Sequence, residues 1–192
     1  AESPVVELTE SNFSQYYSLA TAKSQKVTFE NNSFGGGSSS EKGIASADDL
    51  IAFAEAVNAG NSTEAWQNAE GTVTLLADID LGGKNWTPIG NVSSAGNANN
   101  ASSPTGNAFS GKFDGGNHTV KNFTADVTIA DNGVYGLFGY VQDATIKNLS
   151  VEADLTLRAA ATADAGVLAG TVAGSTIENV TVEGTLLTTG AG

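Results

Sequence analysis

The sequence predicts an all-β fold, and three observations lead to it. One stretch of apolar and turn-forming residues recurs after 31 residues with its pattern intact. Only 15% of the 192 residues are charged while 23 are glycine, so there is little to decorate helix surfaces and much to build turns. Helical periodicity is confined to one segment.

Residues 1–43 form a leader of unclear structure. Within it Val5-Val6-Glu7-Leu8 and Lys26-Val27-Thr28-Phe29 read as short strands, and Gly35-Gly36-Gly37-Ser38-Ser39-Ser40 as a flexible stretch. A second unit, 44–192, opens on the helix, expected over about Ala47 to Ala59. Ser46 is placed to cap its N-terminus, with Asp49 as the capping-box partner and Asp48 favouring the positive helix end. Leu50, Phe53, Ala54 and Val57 make one apolar stripe, and Gly60 ends the helix. Strand signals begin at Thr72-Val73-Thr74-Leu75-Leu76 and continue through Asp78-Ile79-Asp80-Leu81 into the Gly82-Gly83 turn. Residues 91–108, rich in Asn, Ser, Ala and Gly, read as an exposed insertion loop.

The repeat itself runs from Gly139 to Glu152 and again from Gly170 to Glu183, matching Ile146 with Ile177, Asn148 with Asn179, Leu149 with Val180 and Val151 with Val182. A looser third copy, His118 to Thr124, would precede these at an offset of 26, with Val120, Asn122 and Phe123 in the corresponding places. A β repeat of this length with no helix of its own suits one coil of a solenoid, in which like residues stack on like. The recurring Asn interrupts the alternation, as expected at a bend where Asn tolerates left-handed backbone. Stacked Asn side chains can then hydrogen-bond along the column. The fold expected is a right-handed parallel β-helix with one N-terminal capping α-helix; the alternative is an antiparallel β-sandwich.

Gly136-Leu137-Phe138-Gly139-Tyr140-Val141, followed by Ala144-Thr145-Ile146-Lys147-Asn148-Leu149, resembles the GLUG repeat of bacterial surface adhesins and of the non-catalytic part of IgA-cleaving metallopeptidases. The blocks beginning at Ala45, Leu76, Trp86 and Phe109 look like the segments that precede such repeats, especially in gut Bacteroidetes. The resemblance covers roughly residues 44–183 and implies a β-helical fold and a cell-surface setting, but no activity. The second copy departs from it, reading Val167-Leu168-Ala169-Gly170, so its coil is expected to pack less tightly.

Composition narrows the partners. With 8 Lys+Arg against 21 Asp+Glu the net charge is −13, which lacks the basic footprint of a nucleic-acid binder and disfavours polyanions and anionic membranes. The absence of cysteine excludes disulfides and thiolate metal sites. No apolar run approaches the roughly 20 residues that span a bilayer as a helix. The opening Ala1-Glu2-Ser3-Pro4 reads as a mature secretory product, its signal segment already removed. Asn-x-Ser/Thr triplets at Asn122, Asn148 and Asn179 lie inside strand patterns, where a glycan would disrupt packing. That pattern favours a bacterial source.

Chemistry-bearing candidates are few. Asp78 and Asp80 share a strand face and are the nearest thing to a glycosidase pair, but their surroundings read as a solvated face. None of Lys112, Lys121, Lys147 and Arg158 sits in a carboxylate cluster along the sequence, as a lyase base would. His118, the only histidine, lies in a turn. Asp126, Asp131 and Asp143 lack the spacing of a calcium loop. Phe113-Asp114-Gly115-Gly116-Asn117 reads as a tight turn needing positive φ. Trp86 reads as a core residue, and Trp66, Tyr135 and Tyr140 as packing residues that could alternatively stack on glycans. No catalytic residue, metal site or cofactor is therefore expected, and the ligand-binding residues stay unassigned. The expected function is non-enzymatic adhesion or binding by a secreted or cell-surface module contacting glycan or protein, with self-association through the C-terminal coil as a further possibility. Two alternatives remain: a polysaccharide-active β-helix lyase or hydrolase, and a structural spacer of a larger surface protein.

Overall fold

The computed structural model describes residues 42–92, 106–125, 128–129, 133–160 and 162–190. The two short strands and the Gly/Ser stretch expected before residue 41, most of the 91–108 loop, and Asp126 and Asp131 lie outside the described residues.

The helix forms as its sequence prescribes. α1 spans Ala47–Asn58; the Ser46 hydroxyl accepts from the Asp49 amide and donates to the Asp49 carboxylate at 2.8 Å, and Asp49 also accepts from the Ala45 amide. Gly60, at φ +69, turns the chain away. Leu50, Phe53, Ala54 and Val57 are all buried. Phe53 is wedged edge-on against Trp66 at 5.7 Å and Phe109 at 6.0 Å, and lies 6.2 Å from Phe113. Burying one such ring is worth about 1.5–3 kcal/mol.

The rest is chiefly strand: β1 Thr72–Thr74, β2 Ile79–Asp80, β3 Lys112–Lys121, β4 Thr128–Ile129, β5 Val134–Tyr135, β6 Phe138–Gln142, β7 Thr145–Ala159, β8 Asp164–Ala165, β9 Ala169–Ala173 and β10 Thr176–Gly190. Every pairing between these strands is parallel. The antiparallel pairings of a sandwich are not found among them; the one antiparallel contact, Gln67 with Val73, is an isolated bridge. The largest sheet runs β1, β3, β7, β10, with β2 joined to β3 and β4 to β7, and two smaller sheets pair β5 with β8 and β6 with β9. Successive strands β5, β6 and β7 thus find their partners in the same order in β8, β9 and β10.

Register follows the repeat. Ile146 faces Ile177, Leu149 faces Val180 and Val151 faces Val182. Along β7 the residues Ile146, Leu149, Val151, Ala153, Leu155 and Leu157 are buried, and the alternation slips once, at Lys147 and Asn148. Asn148 has φ +52 there, and Asn179 has φ +51 at the equivalent place. An αL residue swings the strand without ending its pairing, so both flanks keep their apolar side chains inward. Phe109, Phe113 and Phe138 fill the space between the sheets with ring centroids 5.4–6.3 Å apart.

Two expectations are corrected. The offset of 26 for the third copy does not hold: Phe113, not Val120, faces Ile146, and Val120 faces Val151. The segment Phe113–Asn117 has the expected positive φ, at Gly116 and Asn117, but is a bulge within the continuous strand β3 rather than a turn. Gly115 has to be glycine because a Cβ there would collide with the Asn148 carbonyl oxygen. In the second copy of the repeat, Ala169 is half-buried where its partner Phe138 is fully buried, and Ile177 and Val182, on the end strand of the sheet, are 41% and 45% exposed.

Candidate functional site

Strands β3 and β10 both bend just after the same row of residues, in which β7 lies between them. Lys121 faces Glu152, and Glu152 faces Glu183. Beyond that row Asn122 has φ +58 and Gly184 φ +129. Asp80 joins the row from β2, opposite Lys121. The bends leave an open groove of about 610 Å³, lined by Asp80, Asn122, Glu152, Asp154 and Glu183 around Phe123, Ala153 and Gly184.

Two of its carboxylates are occupied in holding the bend. Asp80 accepts from Asn122 Nδ2 at 3.0 and 2.9 Å and from the Gly82 amide at 2.8 Å, and these bonds hold its carboxyl below the usual range. Asp154 Oδ1 accepts from the Thr185 amide and hydroxyl at 2.9 and 2.8 Å. No described hydrogen bond engages the side chains of Glu152 and Glu183. They line the groove as neighbours in register on strands whose backbones lie about 4.8 Å apart.

The candidates read from sequence fall elsewhere. Asp78 accepts from the Thr119 amide at 3.0 Å and pairs with His118 Nδ1 at 3.1 Å, which lowers its pKa. Asp78 and Asp80 are thus each tied to β3 or the bend after it rather than converging on a shared bond. His118 is in β3, facing Leu149, and not in a turn. The lysines are not isolated from carboxylates as the sequence suggested: Lys147 Nζ lies 3.3 Å from Asp114 Oδ2, and Lys121 stands between Asp80 and Glu152 in register. Trp86 is buried and its indole donates to the Leu137 carbonyl at 3.0 Å. Tyr135 is buried and donates to the Trp86 and Thr124 carbonyls, and burial pushes its phenol up to about 12. Tyr140 is buried and bonded to Gln142. None of these three rings offers a free face, while Trp66 is half-buried against Phe53. Asp143 sits at φ +51 beside Gly174, and among the described residues no group of three or more His, Asp or Glu could hold a metal ion.

Glu152, Asp154 and Glu183 were not singled out from the sequence. The signal existed, since Glu152 and Glu183 are matched positions of the repeat, but only the register shows that Asp80 joins them.

No family model matches the chain, and no solved structure matches it. Among curated proteins it is similar to Halomucin of Haloquadratum walsbyi, at 32% identity over 126 residues. That likeness spans 59% of this chain and 1% of Halomucin, so the chain corresponds to about one-hundredth of that relative's length.

Proposed function

We propose that this chain is a non-enzymatic binding module of a secreted or surface protein, built as a right-handed parallel β-helix of GLUG type with α1 capping its first coil. The reading of the fold is supported by the constant register between β7 and β10 and by the parallel pairing of three successive strands with the next three. The likeness to Halomucin supports a surface or secreted setting. The observation that carries the binding reading is the acidic groove. It presents Glu152 and Glu183 as unengaged acceptors in a rigid frame, while the remaining carboxylates are committed to backbone and amide donors. Such a groove suits a hydroxyl-rich neutral or amino-bearing glycan, or a basic protein segment. It repels sulfated and uronate polymers, given the net charge of −13.

The test is binding of the purified chain to an array of neutral, amino-bearing and anionic glycans, alongside a Glu152→Gln/Glu183→Gln variant. The reading expects retention on neutral or amino-bearing glycans and a loss of tenfold or more in the variant. Selective binding to anionic glycans, or binding unchanged by the two substitutions, would contradict it.

A further inference from the structure

An asparagine two residues before a serine or threonine fits the acceptor triplet for an N-linked glycan. The described residues include seven such asparagines, at positions 61, 85, 91, 117, 122, 148 and 179, and those at 12, 31 and 100 lie outside the described residues. An acceptor has to offer a free Nδ2. Its triplet also has to lift from the surface far enough for a transferase to hold it. A paired strand cannot do so without breaking its ladder, whereas a surface turn can.

Six of the seven fail on one count or the other. Asn122, Asn148 and Asn179 spend Nδ2 on Asp80, Asp114 and Asn148 in turn. Asn91 spends it on the Asn58 carbonyl at 3.3 Å. Asn117 lies inside β3, and Thr119, the hydroxyl residue of its triplet, is tied by its amide to Asp78. Asn85 is followed by Trp86, whose buried indole donates to the Leu137 carbonyl and anchors the middle of that triplet.

Asn61 meets both conditions. Gly60, at φ +69, turns the chain out of α1, and the Asn61 backbone amide closes the last turn on the Ala56 carbonyl at 2.9 Å. Asn61 and Ser62 are exposed, and no described hydrogen bond engages the Asn61 side chain. Thr63 Oγ1 accepts from Gln67 Nε2 at 2.9 Å, which leaves the Thr63 hydroxyl proton free to donate. The triplet belongs to no strand and bridges α1 to the 3-10 helix Glu64–Trp66.

We propose that Asn61 is an N-glycan acceptor, modified on the folded chain by an oligosaccharyltransferase that uses a polyprenyl-diphosphate-linked oligosaccharide. Nδ2 bonds to the anomeric carbon of the donor sugar and loses one proton, while the sugar–phosphate bond breaks and the polyprenyl diphosphate leaves with the electron pair. Folding first is what spares Asn148 and Asn179, whose amides join β10, β7 and β3. Nothing in this site is shared with the acidic groove, so the two readings fail separately.

The test is to incubate the folded full chain with a purified oligosaccharyltransferase and its lipid-linked donor, then to locate the glycan by peptide mapping in a mass spectrometer. Asn61 should carry it, and Asn61→Gln and Thr63→Ala should each abolish modification at that site. Asn148 and Asn179 should stay bare in the folded chain, while free peptides copying Thr145–Val151 and Thr176–Val182 should be modified. No glycan on Asn61, or a glycan on Asn148 or Asn179 of the folded chain, would overturn the proposal. Refusal of the two free peptides would overturn the role given to the fold, since their sequence alone would then spare them.

Discussion

Asn179 donates from Nδ2 to Oδ1 of Asn148 across 2.9 Å, and the two residues stand 31 apart in the chain. Asn148 donates in turn to Asp114 Oδ1 at 3.0 Å, which also accepts from the Gly116 amide. Both asparagines are left-handed, so one residue type bends each strand and passes its amide to the row beneath. The column ties β10, β7 and β3 together at the point where their alternation slips.

Replacing Asn148 by alanine removes both amide bonds and leaves a Cβ residue at φ +52. The expected cost is about 1–3 kcal/mol, and Asn148→Gly should cost less because glycine adopts that backbone freely. Urea denaturation of the two variants checks the order. An alanine variant as stable as the parent would deny the column a part in stability.

Core substitutions should grade along the stack. Ile146→Ala and Leu149→Ala are expected to cost about 2–5 kcal/mol, being closed on both sides. Ile177→Ala and Val182→Ala should cost clearly less, since 41% and 45% of their surface is already in water. Lys147→Ala should stay within about 1 kcal/mol, because its ion pair with Asp114 is half exposed. Equal losses at Ile146 and Ile177 would mean that the last coil is covered in solution.

Acid should weaken the fold through Asp114. Partial burial opposes its ionisation, but the Gly116 amide, Asn148 and Lys147 outweigh that and hold the carboxyl below its ordinary value. A depressed folded pKa gives stability that is present above the unfolded value of about 3.9 and lost as pH falls through the folded one. Melting temperatures should therefore drop between pH 5 and 2, and drop less in Asp114→Asn. Parallel acid profiles for the two proteins would contradict this.

At the alkaline end the sign reverses. Tyr135, raised to about 12 by burial, contributes stability below pH 10 that is lost as pH rises towards its folded value. In ultraviolet titration the tyrosinate signal should include a step near pH 12 that Tyr135→Phe removes. That variant also removes the hydroxyl donor of the Trp86 carbonyl, while the Thr124 carbonyl keeps the Trp86 amide, and should cost about 1–3 kcal/mol.

Much of this was legible in sequence because it is periodic. The stripe Leu50, Phe53, Ala54, Val57 and its Ser46 cap are local signals, and no tertiary contact overrides them. The match of Ile146 with Ile177 and Asn148 with Asn179 translates directly into register, since parallel stacking preserves order. The misreadings arose where pairing overrules local chemistry. Gly115-Gly116-Asn117 has turn composition, yet β7 runs alongside and keeps it within a strand as a bulge. The bulge also changes the offset along β3, from 33 residues at Phe113 and Ile146 to 31 at Val120 and Val151, and neither is the apparent 26. The groove escaped notice for the same reason: Asp80, Glu152 and Glu183 are distant in sequence and joined only by strands lying side by side.

The stacking of coils is tested most directly by cross-linking in a chain that contains no cysteine of its own. Ser150 faces Thr181 on one side and Thr119 on the other. Registered neighbours in a parallel sheet lie about 4.8 Å apart, within the roughly 4.4–6.8 Å that a disulfide spans. Ser150→Cys paired with Thr181→Cys, and Thr119→Cys paired with Ser150→Cys, should each form an intramolecular disulfide under mild oxidation without loss of melting temperature. Thr119→Cys with Thr145→Cys, the pair that an offset of 26 would align, should remain as free thiols. A disulfide in this last pair, or none in the first two, would contradict the stacked register on which the account rests.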